Sequence, residues 1–133
     1  MAHEKRVEIR WSDVDAYLHV NNAVFATYLE ECRDEWVDHT LEGVSDTWDF
    51  VLARVAIDFR RELRLEDEEV VVSCILVRIG NSSIALREQI RTREGDLSAE
   101  SEAVLVARDR KAGRSRQLTE AERAAFERVL EPS

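Results

Sequence analysis

The chain opens on a period of two. From about His3 to Trp11, apolar and polar residues alternate, with Val7, Ile9 and Trp11 on one face and Glu8 and Arg10 on the other, which predicts a strand. A polar loop from Ser12 to Asn21 breaks the pattern. Phe25, Tyr28, Leu29, Cys32 and Trp36 then fall on one face of a helix predicted from Asn22 to about His39, with Asn21 or Asn22 as its cap. Residues 40–47, which include Gly43, carry no period and read as a connection. Alternation returns from Phe50 to Arg61: Ala53, Val55, Ile57 and Phe59 are expected inward, Arg54, Asp58 and Arg60 outward.

The acidic run Glu66–Glu69 reads as a solvated turn, and the aliphatic run Val70–Ile79 as a strand buried on both faces. Gly80-Asn81-Ser82 turns the chain into a strand carrying Ile84, Leu86 and Ile90. Glu94-Gly95-Asp96 turns it again into a last strand, Leu97–Asp109. Thr119 caps a short final helix whose apolar side is Phe126, Val129 and Leu130. The predicted order is strand, helix, four strands in an antiparallel meander, short helix. This is an α+β two-layer fold in a single domain over residues 1–133, with one long helix against a sheet of about five strands.

Charge narrows the partners. At net −9 over 133 residues the chain is a poor nucleic-acid binder, since neutralising phosphate needs net or clustered positive surface. No apolar stretch is long enough to span a bilayer, and Met1–Lys5 has no signal-peptide pattern, so a cytoplasmic location without membrane partners is expected. The two cysteines, Cys32 and Cys74, lie on apolar faces and read as small buried hydrophobes. With no Cys/His cluster at ligand spacing, no metal is expected.

Chemistry concentrates at the first loop. Asp13, Asp15, His19, Asn21 and Asn22 put two carboxylates, an imidazole and two amides just before an apolar helix start, Ala23–Ala26. A buried helix start presents free N–H donors and a positive dipole end. On residues alone, Asp15 equally suits bonding its own loop backbone, and Asp13 suits backbone or an arginine. His19 suits a structural or pocket-lining role, and Tyr17 is the aromatic placed to touch a ligand. Glu30 and Glu31, two turns into the helix beside Arg33 and Asp34, suit a solvated face. Arg108, Arg110, Lys111, Arg114 and Arg116 form the one cationic run. That run, or Arg78 with Asn81, Ser82 and Ser83, is the candidate seat for a phosphorylated ligand.

Asp13-x-Asp15, His19-Val20-Asn21-Asn22, Tyr28 and Glu30-Glu31-Cys32-Arg33 together resemble the hot-dog fold acyl-CoA thioesterases, closest to the 4-hydroxybenzoyl-CoA thioesterase group. The likeness continues through Ile57-Asp58-Phe59, Arg64-Leu65, Arg78–Ser83 and Ala103–Val106. It implies a sheet wrapped around a central helix, a thioester substrate bearing coenzyme A, and no separate cofactor. It further implies Asp15 as nucleophile or general base, with Asn22 and Ala23 amides polarising the carbonyl. Leu18 stands where these relatives commonly have glycine, and Glu62 and Glu66 replace a common proline and glycine. Leu18 motivates a second reading, a non-catalytic acyl-CoA or acyl-carrier binding module. A third is a hydratase using His19.

A homo-oligomer, dimer or tetramer, is also expected. One helix covers one face of a sheet, and exposed sheet edges must be paired or blunted. The resemblance implies edge-to-edge joining, with substrate between one subunit's loop and the other's strands.

Overall fold

The computed structural model describes residues 2–132, leaving Met1 and Ser133, the ends of the expected domain, outside the description. Strand β1 (His3–Glu8) passes through a 3-10 turn at Trp11–Asp13 to helix α1 (Asn22–Thr40). Strands β2 (Phe50–Phe59), β3 (Glu69–Ile79), β4 (Ser83–Thr92) and β5 (Leu97–Asp109) follow, then a two-residue β6 (Arg114–Ser115) and helix α2 (Glu120–Val129). The sheet is antiparallel in the order β1-β3-β4-β5-β2, with β6 added to β5. Helix α1 lies on its inner face. This is the hot-dog arrangement that the resemblance implies.

Helix α1 forms because Asn21 caps it, its side chain accepting from Ala23 N, and because its apolar stripe meets a matching sheet face. Phe25, Tyr28, Leu29, Cys32 and Trp36 are all buried. Below them lie Val70, Val72, Cys74 and Leu76 of β3, Leu86 and Ile90 of β4, and Ala99, Ala103 and Leu105 of β5. Each fully buried large apolar side chain contributes about 1.5–3 kcal/mol. Cys32 and Cys74 are unbridged thiols 4.0 Å apart, as small buried hydrophobes should be. At one end, Phe126 of α2 stacks on Trp36 and meets Phe50 edge-on, which closes the core.

Several expectations are corrected. The strands do not form a four-strand meander: β3, β4 and β5 do, but β2 crosses to pair with β5 and becomes an edge. On that edge Val55 and Phe59, expected inward, are 39% and 46% exposed, because α1 reaches β2 at Phe25–Phe59 without closing over the strand. Strand β3 buries one face only, with Val71, Ser73, Ile75 and Val77 half-buried on the other. Strand β1 stops at Glu8, so Trp11 sits in the 3-10 turn and is 82% exposed. Leu130, expected on the apolar side of the last helix, lies just past α2 and is also exposed.

Arg33, expected on a solvated helix face, is buried. Its Nε and one terminal nitrogen donate to the two Glu88 carboxylate oxygens at 2.8 and 2.9 Å. Glu88 lies between Cys74 and Ser101 in the sheet register, so this pair bolts α1 to the middle of the sheet.

Candidate active site

The loop before α1 is a small hairpin. Val14 bridges Val20, Asp15 N donates to His19 O, and Leu18 N donates to Asp15 O. Turning in so few residues forces Leu18 to φ +65, a left-handed conformation that glycine adopts freely and leucine does not. Inside the turn, one Asp15 oxygen, Oδ1, accepts from Tyr17 N at 2.9 Å and His19 N at 3.4 Å. Among the described residues no hydrogen bond falls on Oδ2.

Asp13 anchors the loop from beneath. It is buried and accepts from Arg10 N at 2.9 Å and from the Tyr28 hydroxyl at 2.7 Å. Burial, then that hydrogen bond, push the Tyr28 hydroxyl well above the usual phenol range, so it stays a donor. The chain after β2 closes the other side. Val20 N donates to Leu63 O, and His19 bridges Arg64.

Between these parts lies a cavity of about 480 Å³, walled by Asp15, His19, Asn22, Phe25, Phe59 and Glu62 among others. Phe25 and Phe59 meet edge-on at 5.2 Å and form its apolar side. The polar side is Asp15, the start of α1 and the half-buried His19, whose Nε2 is 3.3 Å from Glu62 Oε2. Glu62, Arg60 and Arg61 went unrecognised as cavity residues in the sequence. Their only signal was Glu62 standing where relatives carry proline.

Asp15, His19 and Asn22 are thus brought together at one cavity, whereas Ala23 does not line it and its N–H is taken by Asn21 Oδ1 at 2.9 Å. The cap is Asn21 alone. Tyr17 is 81% exposed and lies outside the wall. The basic candidates gather at the opposite end of the sheet. Ser82 O accepts from Ala107 N and Asn81 O from Leu118 N, which sets the Arg78–Ser83 hairpin beside the end of β5. There Arg108 and Arg114 line a smaller cavity of about 290 Å³ with Val51 and Val106. Arg110 is paired with Asp49 at 3.2 Å, and Arg116 with Glu122 at 2.8 Å. Nine residue steps along β5 separate Arg108 from Ala99, the register partner of Phe59, or about 30 Å.

Among the described residues, no group of three or more His, Cys, Asp or Glu is placed to hold a metal ion, and no helix is long and apolar enough to cross a membrane.

Residues 9–129 match the thioesterase-like superfamily. The chain is similar to a thioesterase from Thermus thermophilus solved with coenzyme A and Zn, at 31% identity over 98% of this chain and 96% of that one, TM-score 0.86. It is similar too to the PA2801 protein of Pseudomonas aeruginosa, at 29% identity over 93% and 97% of the two chains, TM-score 0.80. YbaW of Escherichia coli is 27% identical over 97% and 99%, TM-score 0.78. No curated protein matches the chain.

Proposed function

The chain belongs to the thioesterase-like superfamily, and on that premise we propose that it hydrolyses an acyl-CoA thioester to free acid and coenzyme A. Its nearest kin would be the 4-hydroxybenzoyl-CoA thioesterase group. The observation that carries this reading is Asp15 at the cavity wall beside the start of α1, one oxygen fixed by two N–H groups and the other unbonded among the described residues. A carboxylate held in this way either attacks the thioester carbonyl or takes a proton from an attacking water. As the carbonyl carbon becomes tetrahedral, negative charge grows on its oxygen. The Asn22 N–H and side-chain amide, at the positive end of α1, are the donors offered to that charge; Ala23, whose N–H is taken by the cap, is not one of them. The C–S bond then breaks and the electron pair leaves on the coenzyme A thiolate, which needs no strong general acid. Where Asp15 itself attacked, water then opens the acyl–aspartate anhydride, releasing the acid and restoring the carboxylate.

The coenzyme is expected at Arg108 and Arg114, with the Arg78–Ser83 hairpin alongside. These lie too far from Asp15 for one subunit to hold a short thioester at both. Two-fold pairing of β2 edges resolves the gap, because it sets the Phe59 end of one strand against the Phe50 end of its partner, where the partner's Arg108 region lies. Val51 and Val55, exposed along β2, are the surface such a homodimer would cover. The Thermus thermophilus relative holds coenzyme A, which supports the ligand class.

A non-catalytic acyl-CoA binding module is the second reading, favoured by Leu18 at positive φ and by the backbone bonds on Asp15 Oδ1. Thiol release measured over short, long and aromatic acyl-CoAs separates the two. Turnover is expected; thermal stabilisation by ligand with no thiol released would establish the module instead.

A further inference from the structure

We propose that the acyl chain runs from Asp15 along the seam between α1 and β2 into a second cavity beneath Trp48, where carboxylates select acyl groups by the charge at their far end. The proposal rests on the thioesterase reading and adds the substrate class. Medium-length chains tipped by an ammonium are preferred to neutral ones, and neutral ones to chains tipped by a carboxylate.

Both cavities lie on one seam. The first takes Asn22 and Phe25 from α1 and Phe59 from β2; the second, about 650 Å³, takes later turns of α1 with Phe50 and Leu52 from β2. From Phe25 to Glu30 the helix advances about 7.5 Å, and to Asp34 about 13.5 Å, within reach of a medium-length chain. Val37, Phe50, Leu52 and Leu105 give the second cavity an apolar floor. Trp48, 72% exposed, stands at its side with an indole free to cover a guest.

The rest of the lining is acidic. Glu30, Asp34 and Asp38 recur every fourth residue on α1, and Asp46 joins them from the connection to β2. Among the described residues no Lys, Arg or His lies within ion-pair distance of any of the four. Arg33 also reaches the cavity, but Glu88 engages it through two hydrogen bonds, so that pair adds no net charge. Burial first, then the charges of Glu30 and Asp38, raise the Asp34 carboxyl above its ordinary range against the opposing pull of Arg33. A hydrocarbon needs only the apolar floor. Asp38 accepts from the Thr47 hydroxyl and Asp46 from the Trp48 N–H, so Glu30 and Asp34 are the carboxylates open to a guest. A cationic tip relieves the repulsion and can lie on the Trp48 face, whereas an anionic tip adds a further like charge.

The test compares kcat/KM for thiol release from ω-aminooctanoyl-CoA, nonanoyl-CoA and suberoyl-CoA. The expected order is as written, with about tenfold or more between first and last. A Glu30→Gln, Asp34→Asn double variant should compress that ratio to about threefold or less, and so should high salt, more weakly. Equal rates for the three thioesters, faster release from suberoyl-CoA, or an unchanged ratio in the double variant would each overturn the charge selection while leaving the hydrolase standing. No thiol from any of them would overturn both.

Discussion

Removing Glu88 should expose how much of the fold hangs on one buried ion pair. The Arg33 and Glu88 side chains are 4% and 0% exposed, and their two hydrogen bonds tie the middle of α1 to β4. Glu88→Ala leaves the guanidinium buried without its counter-charge, at a cost of about 3–5 kcal/mol. At about 2.1 cal/mol/K per residue, a chain of this length has an unfolding entropy near 0.28 kcal/mol/K, so Tm should fall by roughly 10–18 °C. Replacing both partners with apolar residues, Arg33→Met with Glu88→Leu, removes the desolvation of two charges along with their attraction. That double variant should lie near the wild type or above it. Urea unfolding at one fixed protein concentration checks this, with the midpoint moving and the m-value constant. A Glu88→Ala loss below about 1 kcal/mol, or a double variant as unstable as the two single losses added, would mean that the ion pair does not hold α1 to the sheet.

Tyr28→Phe deletes a buried hydrogen bond to the Asp13 carboxylate and should cost about 1.5–3 kcal/mol in denaturant unfolding; a neutral result would mean the loop is anchored elsewhere. Leu18→Gly relieves about 1–2 kcal/mol of left-handed strain at a side chain already 68% exposed, against about 0.5–1 kcal/mol of added chain entropy. Its unfolding free energy should hold or rise slightly, and a loss of more than about 1 kcal/mol would show that the leucine is packed. Burial alone would push the buried Glu122 carboxyl up, but hydrogen bonds from Arg116, Ser45 and the Thr119 backbone outweigh it and bring it from 4.5 to about 2. Because the folded value lies below the unfolded one, its stabilisation is complete above about pH 4.5 and is lost as pH falls toward 2. The stability gap between wild type and Glu122→Gln should therefore close across that window; a gap constant with pH would contradict it.

The elements were legible because each apolar face met a neighbour of matching period. Helix α1, its cap region and the β3–β4 and β4–β5 hairpins lie within a residue or so of where the pattern puts them. Periodicity reports which side of a strand is apolar but not which strand lies beside it, so the place of β2 at the sheet edge was invisible. Its apolar side chains look like core in sequence and are half-open in one subunit. The aliphatic run of β3 misled for a related reason: β-branched residues suit a pleated surface whether or not a layer covers it. Arg33 was misplaced because a charged residue reads as solvent-facing until its partner, in a distant strand, is known. The position gave a hint, since it falls four residues after Leu29 on the buried stripe.

At the site, the sequence brought forward Asp15, His19 and Asn22, which the fold gathers at one cavity. Resemblance supplied the chemistry, and also marked Leu18 as standing where relatives commonly have glycine, a position that the backbone holds at positive φ. Glu62, Arg60 and Arg61 were hidden because they reach the cavity only when the segment after β2 docks against the loop at Val20 and His19.

Hydrolysis should depend on the Asp15 carboxylate. Asp15→Asn keeps the shape of the side chain and an oxygen to accept the Tyr17 and His19 N–H groups, so the loop should stay folded while the charge is lost. The decisive measurement is single-turnover thiol release from the best acyl-CoA, with wild type and Asp15→Asn at matched Tm. The chemical step should fall by about two or more orders of magnitude with substrate binding retained. A variant that releases thiol at a rate close to the wild type would take Asp15 out of the mechanism.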